Sequence, residues 1–348
     1  MIQTLELTNI RSYKSGLFEF GEGVNIIVGP NASGKTNLLE SIHMVARGHA
    51  FKSDDVNMIS FDADWGRIES MVSDDQKRVV KLVREPFKKR FEIDGVEKMK
   101  LLEPKQLPTV LFEPTHLLML GGEPDRRRSY LDELLTQTVV GYGALLRDYK
   151  RTLAQRNRLL KADEFDRDHM FVWDIRLSDL ASKVVEVRLR YTQYLAERLS
   201  NDYQSVSGNN EILTISYESK LQTDHYAEHL LQQLKNHIDI DKARGYTGYG
   251  PHRDDIRITL KGQDARNSAS RGETRSIVLA LKIAELHVIE NKSGRKPILL
   301  LDDVFSELDG KRRRTLAQTL QDYQVFITTT DADVAIEHFS KLSNIIPL

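Results

Sequence analysis

The stretch Val24-Asn-Ile-Ile-Val-Gly-Pro-Asn-Ala-Ser-Gly-Lys-Thr-Asn-Leu-Leu-Glu40 constrains this chain more than any other. An apolar, β-branched run (Val24, Ile26, Ile27, Val28) ends at Gly29. Gly34, Lys35 and Thr36 come next, and a helical pattern follows through Leu38, Leu39, Ile42, Met44 and Val45. This is G-x-x-x-x-G-K-S/T between a strand and a helix, the setting that the motif requires. The glycines let the backbone turn tightly enough for consecutive N–H groups to point into one concavity. The helix N-terminus adds partial positive charge. Gly29, Pro30, Asn31, Ala32, Ser33, Gly34, Lys35, Thr36 and Asn37 are therefore the expected nucleotide-binding segment. Lys35 can reach β- and γ-phosphates, and the Thr36 hydroxyl can ligate Mg²⁺.

At 348 residues the chain has room for one large or two medium domains. Its 50 basic and 51 acidic residues nearly cancel, so a nucleic-acid surface would have to be local. There is no cysteine, which excludes disulfides, thiol nucleophiles and Cys-ligated metal and fits the cytosol. No apolar run approaches the roughly 18 residues needed to span a bilayer. The first residues lack the layout of a signal peptide. A soluble, cytoplasmic protein without a membrane partner is expected.

Along the chain, residues 2–20 read as two short strands joined by Arg11-Ser-Tyr-Lys14. Arg11 reads equally as a nucleotide contact or as part of a polar turn. After the phosphate-loop helix, strands are expected over 66–72, 78–83, 90–93 and 109–112, with Asp94-Gly95 as a hairpin turn. From about 117 to 245 the texture is helical. Leu177, Leu180, Val184, Val187, Tyr191 and Tyr194 make an apolar stripe that reads as internal packing and is too short for a coiled-coil arm. Arg147, Lys150, Arg151, Arg156, Arg158 and Lys161 make the region locally basic, either as a solvated helix face or as a nucleic-acid surface.

The second half of the site comes late. Pro297-Ile-Leu-Leu-Leu-Asp-Asp303 is an apolar strand ending in two carboxylates, the way P-loop proteins hold Mg²⁺ opposite the loop hydroxyl. Asp302 is assigned to the metal, and Asp303 is the candidate to orient or deprotonate the attacking water. The long separation of Lys35 from Asp302 favours a cassette-type ATPase head over a compact GTPase or kinase. Ser270, Gly272 and Glu273, one helix before Asp302, are similar to the S-G-G-Q signature of cassette ATPases, which binds the γ-phosphate held by the opposite subunit. Ser306 to Asp309 follows as a D-loop does, and 325–331 is a strand ending where cassettes read T-H-D.

Together these residues resemble the bacterial RecF family over nearly the full length. The resemblance rests on GPNASGKTN with Arg11-Ser-Tyr13 before it, on Glu123-x-x-Arg126-Arg-Arg128 with Leu131-Asp132, and on Gly250-Pro-His-Arg-Asp-Asp255. It rests also on Leu300-Leu-Asp-Asp-Val304 with Ser306-Glu-Leu-Asp309, and on Ile327-Thr-Thr-Thr-Asp331. It implies an α/β, P-loop ABC-type ATPase head, a mixed sheet with an antiparallel subdomain, split into 1–116 and 246–348. Between them it implies a mostly helical lobe over 117–245 without a long coiled coil. It implies ATP and Mg²⁺, an ATP-sandwiched homodimer, and DNA binding at single-strand/double-strand junctions. RecR, RecO and RecA are the implied partners. Arg126, Arg127, Arg128 and Arg151 are candidate DNA contacts.

Departures from the general cassette pattern carry their own expectations. Asp303 stands where most cassettes have Glu, so shorter reach predicts slow hydrolysis. Thr330 replaces the switch His and cannot take up a proton at neutral pH. Glu273 replaces the signature Gln. His252 and Arg253 read equally as dimer- or nucleotide-site residues or as a turn held by pairing with aspartate. The competing function is a cassette subunit coupled to a transporter, which the RecF-like helical lobe disfavours. A scaffold with a vestigial site is disfavoured by intact Lys35, Thr36 and Asp302.

Overall fold

The computed structural model describes residues 1–73, 75–162, 166–331 and 343–348. In chain order, its first part contains β1 (Ile2–Ile10), β2 (Tyr13–Glu19), β3 (Val24–Val28) and α1 (Lys35–Arg47). There follow β4 (Trp65–Val72), β5 (Gln76–Val83), β6 (Lys88–Ile93), β7 (Val96–Lys98) and β8 (Thr109–Phe112). The middle contains α2 (Pro124–Thr138), α3 (Tyr142–Leu160), α4 (Arg167–Ser207), β9 (Leu213–Glu218), α5 (Tyr226–Asn236) and α6 (Ile238–Arg244). Next come β10 (Asp255–Leu260), β11 (Gln263–Asp264), α7 (Ala265–Ser268) and α8 (Arg271–Ser293). The last part contains β12 (Ile298–Asp302), α9 (Val304–Glu307), α10 (Gly310–Thr319), β13 (Val325–Thr329) and β14 (Asn344–Pro347).

The chain clusters into two compact units, Met1–Leu117 with Glu285–Leu348, and Leu118–Ala284. In the first, parallel and antiparallel strands fall into separate sheets. One sheet has the order β14-β3-β13-β12-β8, with every neighbouring pair parallel. All five residues of β12 are buried, which explains why the sequence there is a continuous apolar run and not an alternating one. The other sheet, β2-β1-β4-β5-β6-β7, is antiparallel throughout. In β4 the buried residues Gly66, Ile68, Ser70 and Val72 alternate with more exposed ones, the period of a sheet with one covered face. Asp94 and Gly95 have φ of 50° and 82°, the two left-handed residues of a tight hairpin turn between β6 and β7.

The phosphate-loop helix α1 touches strands of both sheets. Its Leu38, Leu39, Ile42 and Met44 join Leu5, Leu7, Ile68, Leu300 and Phe326 in one core. Each such side chain contributes roughly 1.5–3 kcal/mol on burial, so this packing fixes the helix that carries Lys35 and Thr36.

The second unit is mostly helical. Its core joins Tyr149 of α3, Leu177, Ala181, Val184 and Val185 of α4, and Tyr226, Leu230 and Leu234 of α5. The predicted stripe is thus internal packing. At 41 residues, α4 is the longest helix among the described residues, and no long coiled-coil arm is present among them. The expected division at 245/246 differs from the compact units. Residues 246–284 cluster with the helices because β10 pairs with β9 from Asp255↔Glu218 to Leu260↔Leu213, and β9 packs on α4.

Candidate nucleotide site

Parallel strands place their C-terminal ends along one edge, and that edge is where open α/β sheets bind ligands. Here β3 runs into the loop Gly29 to Gly34, β12 ends at Asp302, β13 ends at Thr329, and β8 runs into Glu113. The residues at these ends line a cleft of about 570 Å³, among them Lys35, Thr36, Glu113, Asp302, Asp303 and Thr328.

Within the loop, Gly34 sits at φ 103°, and a Cβ there would meet Tyr13 Oη at 2.8 Å and Ser12 Oγ at 2.9 Å. Glycine is required for both reasons. Ala32 also has positive φ, at 67°. The segment before the loop closes onto it: Tyr13 Oη donates to the Gly34 carbonyl at 3.1 Å, and Asn37 Nδ2 donates to Ser12 Oγ at 3.0 Å. Burial pushes the Tyr13 hydroxyl up to about 12, so it remains a donor. Lys35 is buried, and its Nζ donates to the carbonyls of Gly29 at 2.7 Å and Pro30 at 2.8 Å. Ser33 Oγ is buried without a hydrogen-bond partner.

The two halves of the predicted site meet. Thr36 Oγ1 donates to Asp302 at 2.9 Å and 3.1 Å, across 266 positions of sequence. Thr328 of β13 donates to the same carboxylate at 2.8 Å and accepts from the Asp303 backbone N–H at 2.9 Å. Thr328 thereby orients Asp302 through its side chain and Asp303 through its backbone. Asp303 has φ 53°, a strained value for a non-glycine residue. Ser306 Oγ donates to the Asp303 carbonyl at 2.7 Å, and Asp309 caps α10 by accepting from the Arg312 N–H.

Sequence reasoning missed several contributors to the cleft, the orienting hydroxyl of Thr328 among them. Lys52 Nζ lies 3.9 Å from Asp302 Oδ2, and no motif surrounds it. Glu113 and Thr115 follow β8, the parallel neighbour of β12. A strand was read over 109–112, but its place beside the acid strand is a fact of topology that periodicity does not carry.

Arg11 is engaged by side chains of its own unit. Its guanidinium donates to Glu40 at 2.7 Å and to Ser53 at 2.6 Å. The Glu40 side chain is only 1% exposed, and a carboxylate so buried needs a counter-charge. Ser12 and Tyr13 of the same segment contact the phosphate loop and the start of α1.

The signature lies in the second unit. Ser270 is exposed immediately before α8. Its backbone N–H donates to Glu273 Oε2 at 2.8 Å, and the Glu273 N–H donates to Ser270 Oγ at 3.3 Å. This is a reciprocal capping box. The Ser270 N–H holds the Glu273 carboxyl below its usual range, and Lys261 adds to the effect at 3.3 Å. The charge introduced by Glu273 is thus met locally. Gly272 lies in the first turn of α8.

The chain's other distinctive motifs lock the second unit internally. Arg127 is 2% exposed, is paired in a fork with Asp255, and donates to the carbonyls of Met119, Leu120 and Gly122. Arg128 donates to the Asp254 carbonyl at 2.7 Å. Arg188 pairs with Asp132 and donates to the Pro251 carbonyl at 2.7 Å. His252 faces Tyr149 Oη at 2.6 Å and the Thr247 carbonyl at 3.1 Å, and burial pushes its imidazole down to about 4. Among the described residues, His252 and Arg253 make no aspartate pair of the expected kind; Asp254 and Asp255 bond elsewhere. Arg127 is corrected as a DNA contact: its guanidinium is enclosed and satisfied. Arg126 and Arg151 are exposed.

The family model described as RecF/RecN/SMC N terminal domain matches residues 1–347. The DNA replication and repair protein RecF of Geobacter sp. (strain M21) is 37% identical over 336 residues, covering 94% of this chain and 92% of that protein. The chain belongs to the RecF family. The solved "recombination mediator protein RecF-ATPrS in RecFOR pathway" superposes with a TM-score of 0.89 at 30% identity, over 97% of this chain and 94% of that one. The corresponding RecF-ATP structure gives 0.85 at 31% identity, over 95% and 92%. For this RecF-family chain the fold is a P-loop, ABC-type head with a mostly helical second unit. Among the described residues, no helix is long and apolar enough to cross a membrane.

Proposed function

We propose that the cleft binds ATP with Mg²⁺ and that the chain is a slow, ATP-gated DNA-binding protein of recombinational repair acting in the cytoplasm. The observation that carries this is the approach of the Thr36 hydroxyl to the Asp302 carboxylate at 2.9 Å, beside the glycine-lined loop. A hydroxyl and one carboxylate are the protein's usual share of a magnesium site, since Mg²⁺ takes its remaining ligands from phosphates and water. The donor set therefore fits. When bound, Mg²⁺ offsets charge on the phosphates.

Lys35 holds the β- and γ-phosphoryl oxygens with the ammonium that now caps the Gly29 and Pro30 carbonyls. Asp303 accepts a proton from the attacking water, and its short side chain keeps turnover slow. The related ATP-bound RecF structure supports the nucleotide. Ser270 and Gly272, exposed or half-exposed at a helix N-terminus, serve the γ-phosphate of a second copy, so nucleotide drives homodimerisation. DNA at single-strand/double-strand junctions binds the closed dimer. The family resemblance supports RecR and RecO as partners and the loading of RecA at gaps as the task.

DNA binding and ATP turnover measured together test this. Binding should require ATP, and turnover should lie well below the roughly 10 s⁻¹ median of enzymes. Lys35→Arg should lose turnover more than binding. Ser270→Arg should block dimerisation while each monomer retains ATP. Nucleotide-independent DNA binding would refute the gating, and normal dimerisation of Ser270→Arg would refute the sandwich.

A further inference from the structure

The helix α3 turns one face inward, with Tyr149, Thr152, Arg156 and Leu160 buried. At 100° per residue, Arg147, Lys150, Arg151, Arg158 and Lys161 fall within an arc of about 100° on the opposite side, centred on the exposed Ala154. All five cations are exposed. None of them makes an ion pair among the described residues. Some cations elsewhere in this unit are paired, among them Arg127, Arg156 and Arg188 in the interior and Arg167, Lys183 and Arg190 on the surface. Asp148, the one acid among α3's exposed residues, lies to the side of the arc. In a chain of net charge −1, five exposed cations on one straight face, without an ion pair among the described residues, are a local field that composition hides.

We propose that this α3 stripe is a contact for the phosphate backbone of DNA; the proposal rests on the DNA-binding reading given above. From Arg147 to Lys161 the stripe runs about 21 Å at 1.5 Å per residue, long enough to follow several phosphates. It carries no aromatic or amide side chain on the arc to read bases, so the contact is indifferent to sequence. Charge complementarity selects a polyanion, and a line of cations about 21 Å long suits a repeating phosphate chain better than a single anion. Arg156, which lies in the same run of sequence, is excluded because it points into the core.

The test is a fluorescence-anisotropy titration of duplex with a single-stranded gap, with ATP present, from 50 to 200 mM salt. The triple variant Lys150→Gln, Arg151→Gln, Arg158→Gln is compared with the control Arg167→Gln, Lys183→Gln, Arg190→Gln, which removes the same charge from paired surface cations. Each phosphate contact contributes about 0.9 to the slope of log K against log salt. The stripe variant should therefore lose about 2–3 in slope and roughly 100-fold in affinity at 0.1 M salt. The control should change little, and nucleotide binding should survive in both. Equal binding by wild type and stripe variant overturns this proposal alone. An equal loss in the control also overturns it. Unchanged DNA affinity with lost retention on an acidic-peptide matrix assigns the stripe to a protein partner instead. Absence of DNA binding by the wild type overturns both this proposal and the reading beneath it.

Discussion

Replacing Arg156 by leucine separates two roles that its sequence neighbourhood confuses. The side chain is fully buried. Its Nε donates to Asp174 at 2.6 Å, and Nη1 donates to Asp241 at 2.7 Å and to Thr247 at 2.8 Å. The carboxylates are 5% and 1% exposed, so Arg156→Leu leaves two buried acids without their cation. Removing one partner of a buried pair costs about 3–5 kcal/mol, a large share of a domain's total of roughly 5–15. The loss should depend on pH. Burial already raises the Asp174 carboxyl above its usual range, against the opposing pull of Arg156. Without the arginine it rises further. An acid whose folded pKa exceeds its unfolded value takes up a proton on folding, so stability is regained as pH falls through the folded value. Between pH 7.5 and 5.5 the deficit should shrink by up to about 2.7 kcal/mol for each carboxyl that stays protonated. Urea unfolding followed by circular dichroism at the two pH values measures both quantities, and Asp174→Asn in the same background should recover part of the loss. A deficit below about 1 kcal/mol, or one indifferent to pH, would refute the reasoning. So would full stability with a reduced salt slope for DNA, because that would place Arg156 on the surface stripe.

Three further outcomes are expected. Glu273→Ala should cost about 1 kcal/mol by opening the capping box, whereas Glu273→Gln should hold at neutral pH. Because the folded Glu273 carboxyl is depressed, its contribution should be lost as pH falls below the usual glutamate range, and differential scanning calorimetry of the two variants reads this. Gly34→Ala should abolish nucleotide retention in a filter-binding assay, since φ 103° and a contact at 2.8 Å to Tyr13 both oppose a side chain there. His43 is buried in α1 and held neutral, its imidazole pushed down to about 3 by burial first and by His49 second. Stability should therefore fall as pH drops below about 6.5, by about 2 kcal/mol at pH 5, and His43→Gln should flatten the denaturation midpoint over that range.

The sheet edge was legible because its residues are constrained twice. β3 and β12 are mostly apolar runs, with Asn25 the exception in β3, since both faces of a parallel sheet are covered, and each leads into residues whose chemistry has few other uses. Their pairing with β13 between them follows from strand order, which sequence does not encode locally. Hence Asp302 and Thr36 could be named as partners, while Lys52, Glu113 and the orienting hydroxyl of Thr328 could not. The antiparallel meander was legible for the opposite reason: one covered face leaves an alternation, and Asp94-Gly95 marks its turn.

What sequence could not supply was the destination of each charge. Arg151 and Arg156 stand five positions apart in one basic run, yet about 140° of helical rotation separates their directions and reverses their roles. Arg126, Arg127 and Arg128 look alike, but the second is enclosed among carbonyls and Asp255 while the first is exposed. Periodicity resolves such cases only when the buried face is already known, and here that face is set by α4 and α5, elements remote in sequence. A buried arginine on a helix also breaks the apolar stripe that would have revealed the inward side. Charges therefore mislead most where a fold uses them as internal braces, and the GPHRDD turn is the case in point. Its family specificity resembles that of a catalytic motif, but Arg127, Arg128 and Arg188 anchor it to the helices of its own unit. A motif can be distinctive because several elements of the fold converge on it.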